Sequence, residues 1–176
     1  MFKIIACFNQ KRALGKDGKL LFHIGNDLAN FAKMTKFNNN VIIMGRKTFE
    51  SFPNGEPLSE RINIVLTSDK DYSVDNVYEN VYIAHSLQDV IDLCQALFSD
   101  KELFVIGGES VYKEFLDSGL VDEMRLTIVK DDEDGDVFFP EFDEGSWYEY
   151  YKSMAQVSSY GGLDKTFYYQ ILKAIK

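Results

Sequence analysis

Asp27 has the local setting in this chain that most calls for a chemical explanation. Leu20-Leu21-Phe22 precedes it, and Leu28 and Phe31 follow it along one face of an expected helix. A carboxylate among large apolar side chains is disfavoured unless a salt bridge, a buried hydrogen bond or a cationic ligand compensates it. An ordinary helix-start charge, with Asn26 as N-cap and the helix dipole in its favour, fits the same residues. Local sequence leaves both readings open.

Three strand ends carry other chemistry-bearing groups. Gly45-Arg46-Lys47-Thr48 combines free backbone N–H groups with two cations and a hydroxyl, which suits either a phosphate or a tight solvated turn. It is not a P-loop, since Asn40 stands where that motif has its first glycine and the lysine is displaced by one residue. Gly107-Gly108-Glu109-Ser110 opens a helix carrying Val111 and Tyr112, and adjacent glycines let a ligand approach the backbone closely. Leu66-Thr67-Ser68 ends a third strand with two hydroxyls. Arg61 could clamp a carboxylate or stand solvated. Thr127 lies mid-strand, where threonine is also a good strand former. His23 and His85 have no evident catalytic partner and read as structural or peripheral.

The elements that must hold these groups alternate between strand and helix. Strands are expected at Lys3–Phe8, Val41–Met44, Ile62–Thr67, Val81–Ala84, Leu103–Ile106 and Met124–Val129. Helices are expected at Asn26–Thr35, Arg46–Ser51, Ser86–Phe98 and Glu109–Ser118. Ser86 and Asp89 resemble a capping box, and Gly119 serves as a stop. Asn9 to Gly25 reads as one long functional loop with Gly15, Gly18 and Gly25. Lys130 to Asp136 reads as a solvated acidic loop. Two closing strands, Tyr148–Ser158 and Lys165–Leu172, read as an antiparallel pair turned by Tyr160-Gly161-Gly162. The fold class is therefore α/β, one domain over residues 1–176. A mostly parallel sheet of about eight strands, with an antiparallel C-terminal strand, carries helices on both faces. In such sheets ligands bind outside the carboxyl ends of the strands.

Composition narrows the function. A chain of 176 residues with 45% apolar content can bury a sizeable core. A net charge of -9 argues against nonspecific nucleic-acid or anionic-membrane binding. Cys7 and Cys94 lie in apolar runs and read as small buried hydrophobes. No Cys/His spacing suggests a metal site. With neither a signal peptide nor a run of transmembrane length, the expected protein is soluble and cytoplasmic.

Taken together, the motifs identify a family. Ile4-Ile5-Ala6, Leu14-Gly15 to Phe22, Asp27-Leu28 with Phe31, VIIMGRKTFES over Val41 to Ser51, Pro57-Leu58 with Arg61, Asn63 to Ser68, and Val105-Ile106-Gly107-Gly108 with Tyr112 occur in that order. They resemble dihydrofolate reductase of the bacterial chromosomal type from about Lys3 to Leu172. The resemblance implies a monomer that reduces 7,8-dihydrofolate to tetrahydrofolate with NADPH and binds antifolate inhibitors. The implied reaction is hydride transfer to pterin C6 with protonation at N5.

The resemblance also implies residue roles. Asp27 would bind the pterin 2-amino group and N3–H, backed by Thr127. Ile5, Ala6, Leu28, Phe31, Phe52, Leu58 and Ile106 would wall the rings, and Arg61 would hold the glutamate α-carboxylate. Ala6 and Cys7 would offer backbone groups to the nicotinamide carboxamide, bordered by Leu14, Gly15 and Leu20. Arg46, Lys47 and Ser68, with Leu66 and Thr67, would take the 2'-phosphate. Gly45, Thr48, Gly107, Gly108, Glu109, Ser110, Val111 and Tyr112 would take the pyrophosphate and nearby groups, and the family has a cis peptide at Gly107-Gly108. Residues Gly15 to Phe22 would form a lid, and water would deliver the N5 proton.

The chain departs from the family pattern at Leu21-Phe22, where Pro-Trp is frequent, so Phe22 lacks an indole N–H to orient a water. Gly25 stands where proline is common, which implies a looser lid, and Ala32 removes a polar side chain near the pocket mouth. The stretches Phe37–Asn40 and Pro53–Glu56 are each about two residues longer than the family pattern. Two other functions share parts of the pattern. A pyrimidine reductase of riboflavin synthesis would need no Asp27, and the pairing of Asp27 with Arg61 argues against it. A non-catalytic nucleotide or folate binder would lack an essential group, and none is missing.

Overall fold

Short apolar runs build the sheet, and the glycines that end them point its functional edge. The computed structural model describes residues 1–74, 77–160 and 163–175. Its first half runs β1 (Phe2–Asn9), β2 (Ala13–Lys16), β3 (Lys19–Leu20), α1 (Gly25–Lys36), β4 (Val41–Gly45), α2 (Arg46–Glu50), β5 (Ile62–Leu66) and β6 (Val81–Ala84). Its second half runs α3 (Leu87–Leu97), β7 (Leu103–Gly107), α4 (Glu109–Asp117), β8 (Val121–Val129), β9 (Val137–Phe138), β10 (Trp147–Lys152), β11 (Gln156–Tyr160) and β12 (Leu163–Ala174).

Nine of these strands form one sheet in the order β10-β12-β8-β1-β7-β4-β5-β6, with β11 also pairing with β12. The ladders from β8 across to β6 are parallel. β12 runs antiparallel to β8, which supplies the antiparallel end. The architecture is the expected single α/β domain.

Strand alternation decides which side chains meet which helices. Phe2, Ile4, Ala6 and Phe8 of β1 enter a core with Val90 and Cys94 of α3 and Val111 and Phe115 of α4. Ile5 instead packs with Ile42, Met44, Phe49, Val65 and Phe104, under Met34 of α1. Burying each such side chain contributes roughly 1.5–3 kcal/mol. Cys7, on the same face as Ile5, packs with Phe22, Ile24, Val129 and Phe167. The groups on the Ile5 and Cys7 face are the ones that reach the site.

Several expectations need correction. Asn26 is not the N-cap of α1. The helix opens at Gly25 with Ile24 in the cap position and no side-chain cap, so Asp27 lies inside the first turn. Asn9 to Gly25 is not a plain loop. β2 and β3 form a hairpin there, and β9 pairs with β2. These strands are only two to four residues long, and β9 lies more than 100 residues from β2, beyond the reach of local periodicity. Gly15 is required within the hairpin, because a Cβ would stand 2.7 Å from the Lys19 carbonyl oxygen.

The acidic loop is tied down rather than merely solvated. Asn9 Nδ2 donates to the Glu133 carbonyl at 2.8 Å, and the Asp17 N–H donates to Asp136 Oδ2 at 2.9 Å. Asn9 Oδ1 also accepts from the Lys11 and Ala13 N–H groups, so one buried side chain holds both segments. The expected strand Tyr148–Ser158 is two strands, β10 and β11. Between them Ser153 bonds Tyr169 through both its N–H and its Oγ. Gly161 and Gly162, the expected turn, lie outside the described residues. Ser86 does cap α3 by accepting from the Asp89 N–H at 3.1 Å, and Gly119 closes α4 with φ +70°.

Candidate active site

α1 carries Asp27 over the sheet against three neighbouring strands. Cys7 of β1, Thr127 of β8 and Tyr169 of β12 are aligned in register across those strands. Thr127 Oγ1 donates a short hydrogen bond to Asp27 Oδ1. The Cys7 thiol donates to the same carboxylate. Among the described residues no cation pairs with Asp27. Its compensation is therefore two neutral donors.

The electrostatics follow from that arrangement. Burial pushes the Asp27 carboxyl above its ordinary range, and the Thr127 and Cys7 hydrogen bonds oppose the shift without cancelling it. Burial and then the Asp27 charge push the Cys7 thiol well up, so it acts as a donor and not as a thiolate. Tyr112 is also raised by burial, and its hydroxyl donates to the Ile5 carbonyl at 2.7 Å. That bond fixes the β1 backbone beside Ala6.

The apolar walls are half-buried edges of the core on this face. Ile5, Phe52, Leu58 and Ile106 pack on the Met44–Phe104 cluster. Phe31 is half-buried, Leu28 is exposed and Ala6 is buried. Phe22 is buried against Ile24, Val129 and Phe167, and Lys165 lies 5.5 Å from its ring. Phe22 therefore anchors the segment between β3 and α1 in the core.

Arg61 is 7% exposed, stands 5.8 Å over the Phe31 ring, and its Nε has no hydrogen-bond partner among the described residues. A cavity of about 410 Å³, lined by Arg61 with Asn39, Glu56, Ser59, Tyr78 and Asn80, opens beside it. Asn63 pins this segment, accepting from the Leu58 N–H at 3.1 Å and donating to the Leu58 and Arg61 carbonyls.

The glycine corners sit together because β4 and β7 are neighbours. A Cβ on Gly45 would meet Val111 Cγ2 at 3.2 Å, and one on Gly108 would meet Thr48 Oγ1 at 3.4 Å. Gly107 has φ +108°, and a Cβ there would press on the Tyr112 ring at 2.9 Å. The Gly107-Gly108 peptide is cis. Val111 and Tyr112 are buried beneath the corner, whereas Lys47, Ser68, Glu109 and Ser110 are exposed and Arg46, Thr48 and Thr67 half-buried. Leu66 and Leu14 are buried, and Leu20 on β3 is 57% exposed. Bare backbone bordered by exposed donors is a surface that fits an extended phosphate-bearing cofactor.

Sequence reasoning missed four contributors: Asn9, the Cys7 side chain, Asn63 and Tyr169. The Tyr169 hydroxyl is shut from water, and burial and the Asp27 charge push its pKa up while the Asn30 side chain opposes the shift. Strand alternation put Cys7 on the face of Ile5 and Asn63 stood in the quoted block Asn63 to Ser68, whereas the alignment of Cys7 with Thr127 and Tyr169 comes from strand register.

A buried carboxylate on the face of a mostly parallel sheet, beside glycine corners at strand ends, is the ligand cleft of a nucleotide-binding α/β protein. The family model described as dihydrofolate reductase matches residues 1–171. A dihydrofolate reductase of Bacillus subtilis is 40% identical over 147 residues, covering 84% of this chain and 80% of that protein. One from Staphylococcus aureus is 34% identical over 144 residues, covering 82% and 80%. A solved structure, dihydrofolate reductase from Enterococcus faecalis complexed with NADP(H) and RAB-propyl, superposes with a TM-score of 0.82. Its identity is 28%, and the match covers 100% of this chain and 97% of that one. The chain belongs to the dihydrofolate reductase family. Its activity is that of the family, the NADPH-dependent reduction of dihydrofolate to tetrahydrofolate. Among the described residues no helix is long and apolar enough to cross a membrane.

Proposed function

We propose that Asp27 is the residue on which substrate recognition and protonation turn. The observation that supports this most is its compensation by neutral donors alone. Such a carboxylate keeps acceptor capacity for the paired N–H donors of a pterin edge. A cationic form of that heterocycle would supply the missing positive charge, so Asp27 favours the protonated pterin. Water delivers the proton to N5, with Thr127 holding the carboxylate in place. Ile5, Ala6, Leu28, Phe31, Phe52, Leu58 and Ile106 exclude bulk solvent from the rings, and Phe22 anchors the lid.

Arg61 takes the substrate α-carboxylate, which would satisfy its orphan Nε. Gly45, Thr48, Gly107, Gly108, Glu109 and Ser110 hold the cofactor pyrophosphate region, with Val111 and Tyr112 supporting from below. Ala6, Cys7, Leu14, Gly15 and Leu20 border the nicotinamide. Leu66, Thr67, Ser68, Arg46 and Lys47 form the 2'-phosphate corner. When bound, the dinucleotide supplies the hydride, while the protein supplies alignment and a water-poor cleft. We place the enzyme in the cytoplasm as a monomer whose one domain spans residues 1–176.

The test is NADPH oxidation with dihydrofolate by wild type and Asp27→Asn, with an antifolate control. Loss of turnover with NADPH binding retained supports the reading. Full activity of the variant refutes it.

A further inference from the structure

Arg46 does not stand free at its corner. Its Nη1 lies 3.0 Å from Asp69 Oδ2, its Nε lies 3.8 Å from Glu50 Oε1, and its guanidinium carbon is 5.6 Å from the centre of the Tyr72 ring. Asp69 is not a loose surface acid. Its N–H donates to Thr67 Oγ1 at 3.2 Å, and its Oδ1 accepts from the Asp71 N–H at 3.1 Å. One carboxylate oxygen is held by its own turn and the other is aimed at Arg46. Over the two segments that meet here, Arg46, Lys47 and Lys70 are balanced by Glu50, Asp69 and Asp71. The corner is electrically neutral, although Arg46 and Lys47 alone make it look cationic.

That neutrality bears on which dinucleotide binds. A ribose 2'-phosphate dianion arriving at Arg46 must displace Asp69 or sit beside its charge. A ribose 2'-hydroxyl meets the opposite situation, since it can donate to a fixed carboxylate while Arg46 stays paired. An acid that accepts from the ribose hydroxyl is a general device for binding the non-phosphorylated coenzyme.

We propose that Asp69 is a specificity-determining residue that relaxes coenzyme preference, so that this enzyme accepts NADH as well as NADPH. The inference rests on the reading of Arg46 as the 2'-phosphate residue. Exposed charge pairs have small individual effects, so the expected changes are graded.

The experiment measures kcat/KM for NADPH and for NADH, at saturating dihydrofolate, in wild type, Asp69→Asn and Arg46→Ala. Displacement by 2',5'-ADP and by 5'-ADP is measured alongside as a readout independent of turnover. Asp69→Asn should raise kcat/KM for NADPH about three- to five-fold and lower that for NADH, and it should tighten 2',5'-ADP but not 5'-ADP. Arg46→Ala should collapse the difference between the coenzymes. If Asp69→Asn leaves the ratio unchanged while Arg46→Ala collapses it, the Asp69 proposal is overturned and the phosphate corner stands. If Arg46→Ala leaves the ratio unchanged, the corner reading itself fails, and the proposal with it.

Discussion

The foot of the cleft and the Arg46 corner solve opposite problems. At Asp27 a single charge is removed from most of its water and held by neutral donors from β1 and β8. At Arg46 a half-exposed charge is held by two carboxylates from different segments. A buried charge without a counter-ion is costly and sensitive to single atoms. A network of solvated pairs is inexpensive, screened by salt and adjustable in small steps. The first arrangement suits chemistry that must not fail. The second suits a preference that can drift.

The largest expected effect is at the foot. Asp27→Asn should cut kcat at neutral pH by roughly 10²–10³-fold, read by rapid-mixing kinetics. Its NADPH dissociation constant, from fluorescence titration, should stay within about two-fold of wild type if the two regions are independent. A parallel loss of NADPH affinity would erase the distinction between them.

Next in size is Thr127→Val, which removes one donor and keeps the shape. We expect roughly ten-fold lower kcat/KM and an upward shift of the acidic limb of its pH profile, since the ionised carboxylate loses support. A superimposable profile would mean that Thr127 only packs.

Asp27 also has a cost in stability whose sign can be measured. Its folded-state pKa lies above that of the unfolded chain. Between those two values the native state holds more protons, so stability falls as pH rises through that window. In the unliganded protein, Asp27→Asn should therefore raise Tm by a few degrees at neutral pH. The gain should vanish as pH falls below the folded value toward about 4, the ordinary range for an aspartate. Calorimetry across that range checks it, and a lower Tm at neutral pH would contradict the burial cost.

The smallest effect belongs to the corner. Raising salt from about 0.05 to 0.5 M should weaken NADPH binding several-fold, because the attraction of the exposed Arg46 and Lys47 for the 2'-phosphate is screened. The pH profile set by Asp27 should hardly move. Equal salt sensitivity at both places would break the contrast.

Much of this protein is legible in its sequence. The runs VIIMG and LFVIGG, followed by helical spacing, specify buried parallel strands with open corners, and Asp27 among apolar residues marks the foot of the cleft. The hairpin over β2 and β3 was not legible, since its partner β9 comes more than 100 residues later and both lie outside regular periodicity. Asn26 misled because it has the right type for a cap. The helix instead opens at Gly25, with the buried Ile24 in the cap position.

By itself, then, the order of residues determined the strand-helix alternation, the glycine-ended strands and the setting of one acid, Asp27, among apolar residues at a helix start. Those features depend on steric and hydrophobic preferences acting within a few neighbouring residues. Only the tertiary structure decided that Cys7, Thr127 and Tyr169 stand in one row, that Asn9 binds the segment leading into the β2–β3 hairpin to the acidic loop, and that Asp69 and Glu50 flank Arg46. Most of those contacts join residues distant along the chain. Their energies depend on which strands lie side by side, and no local pattern encodes that adjacency.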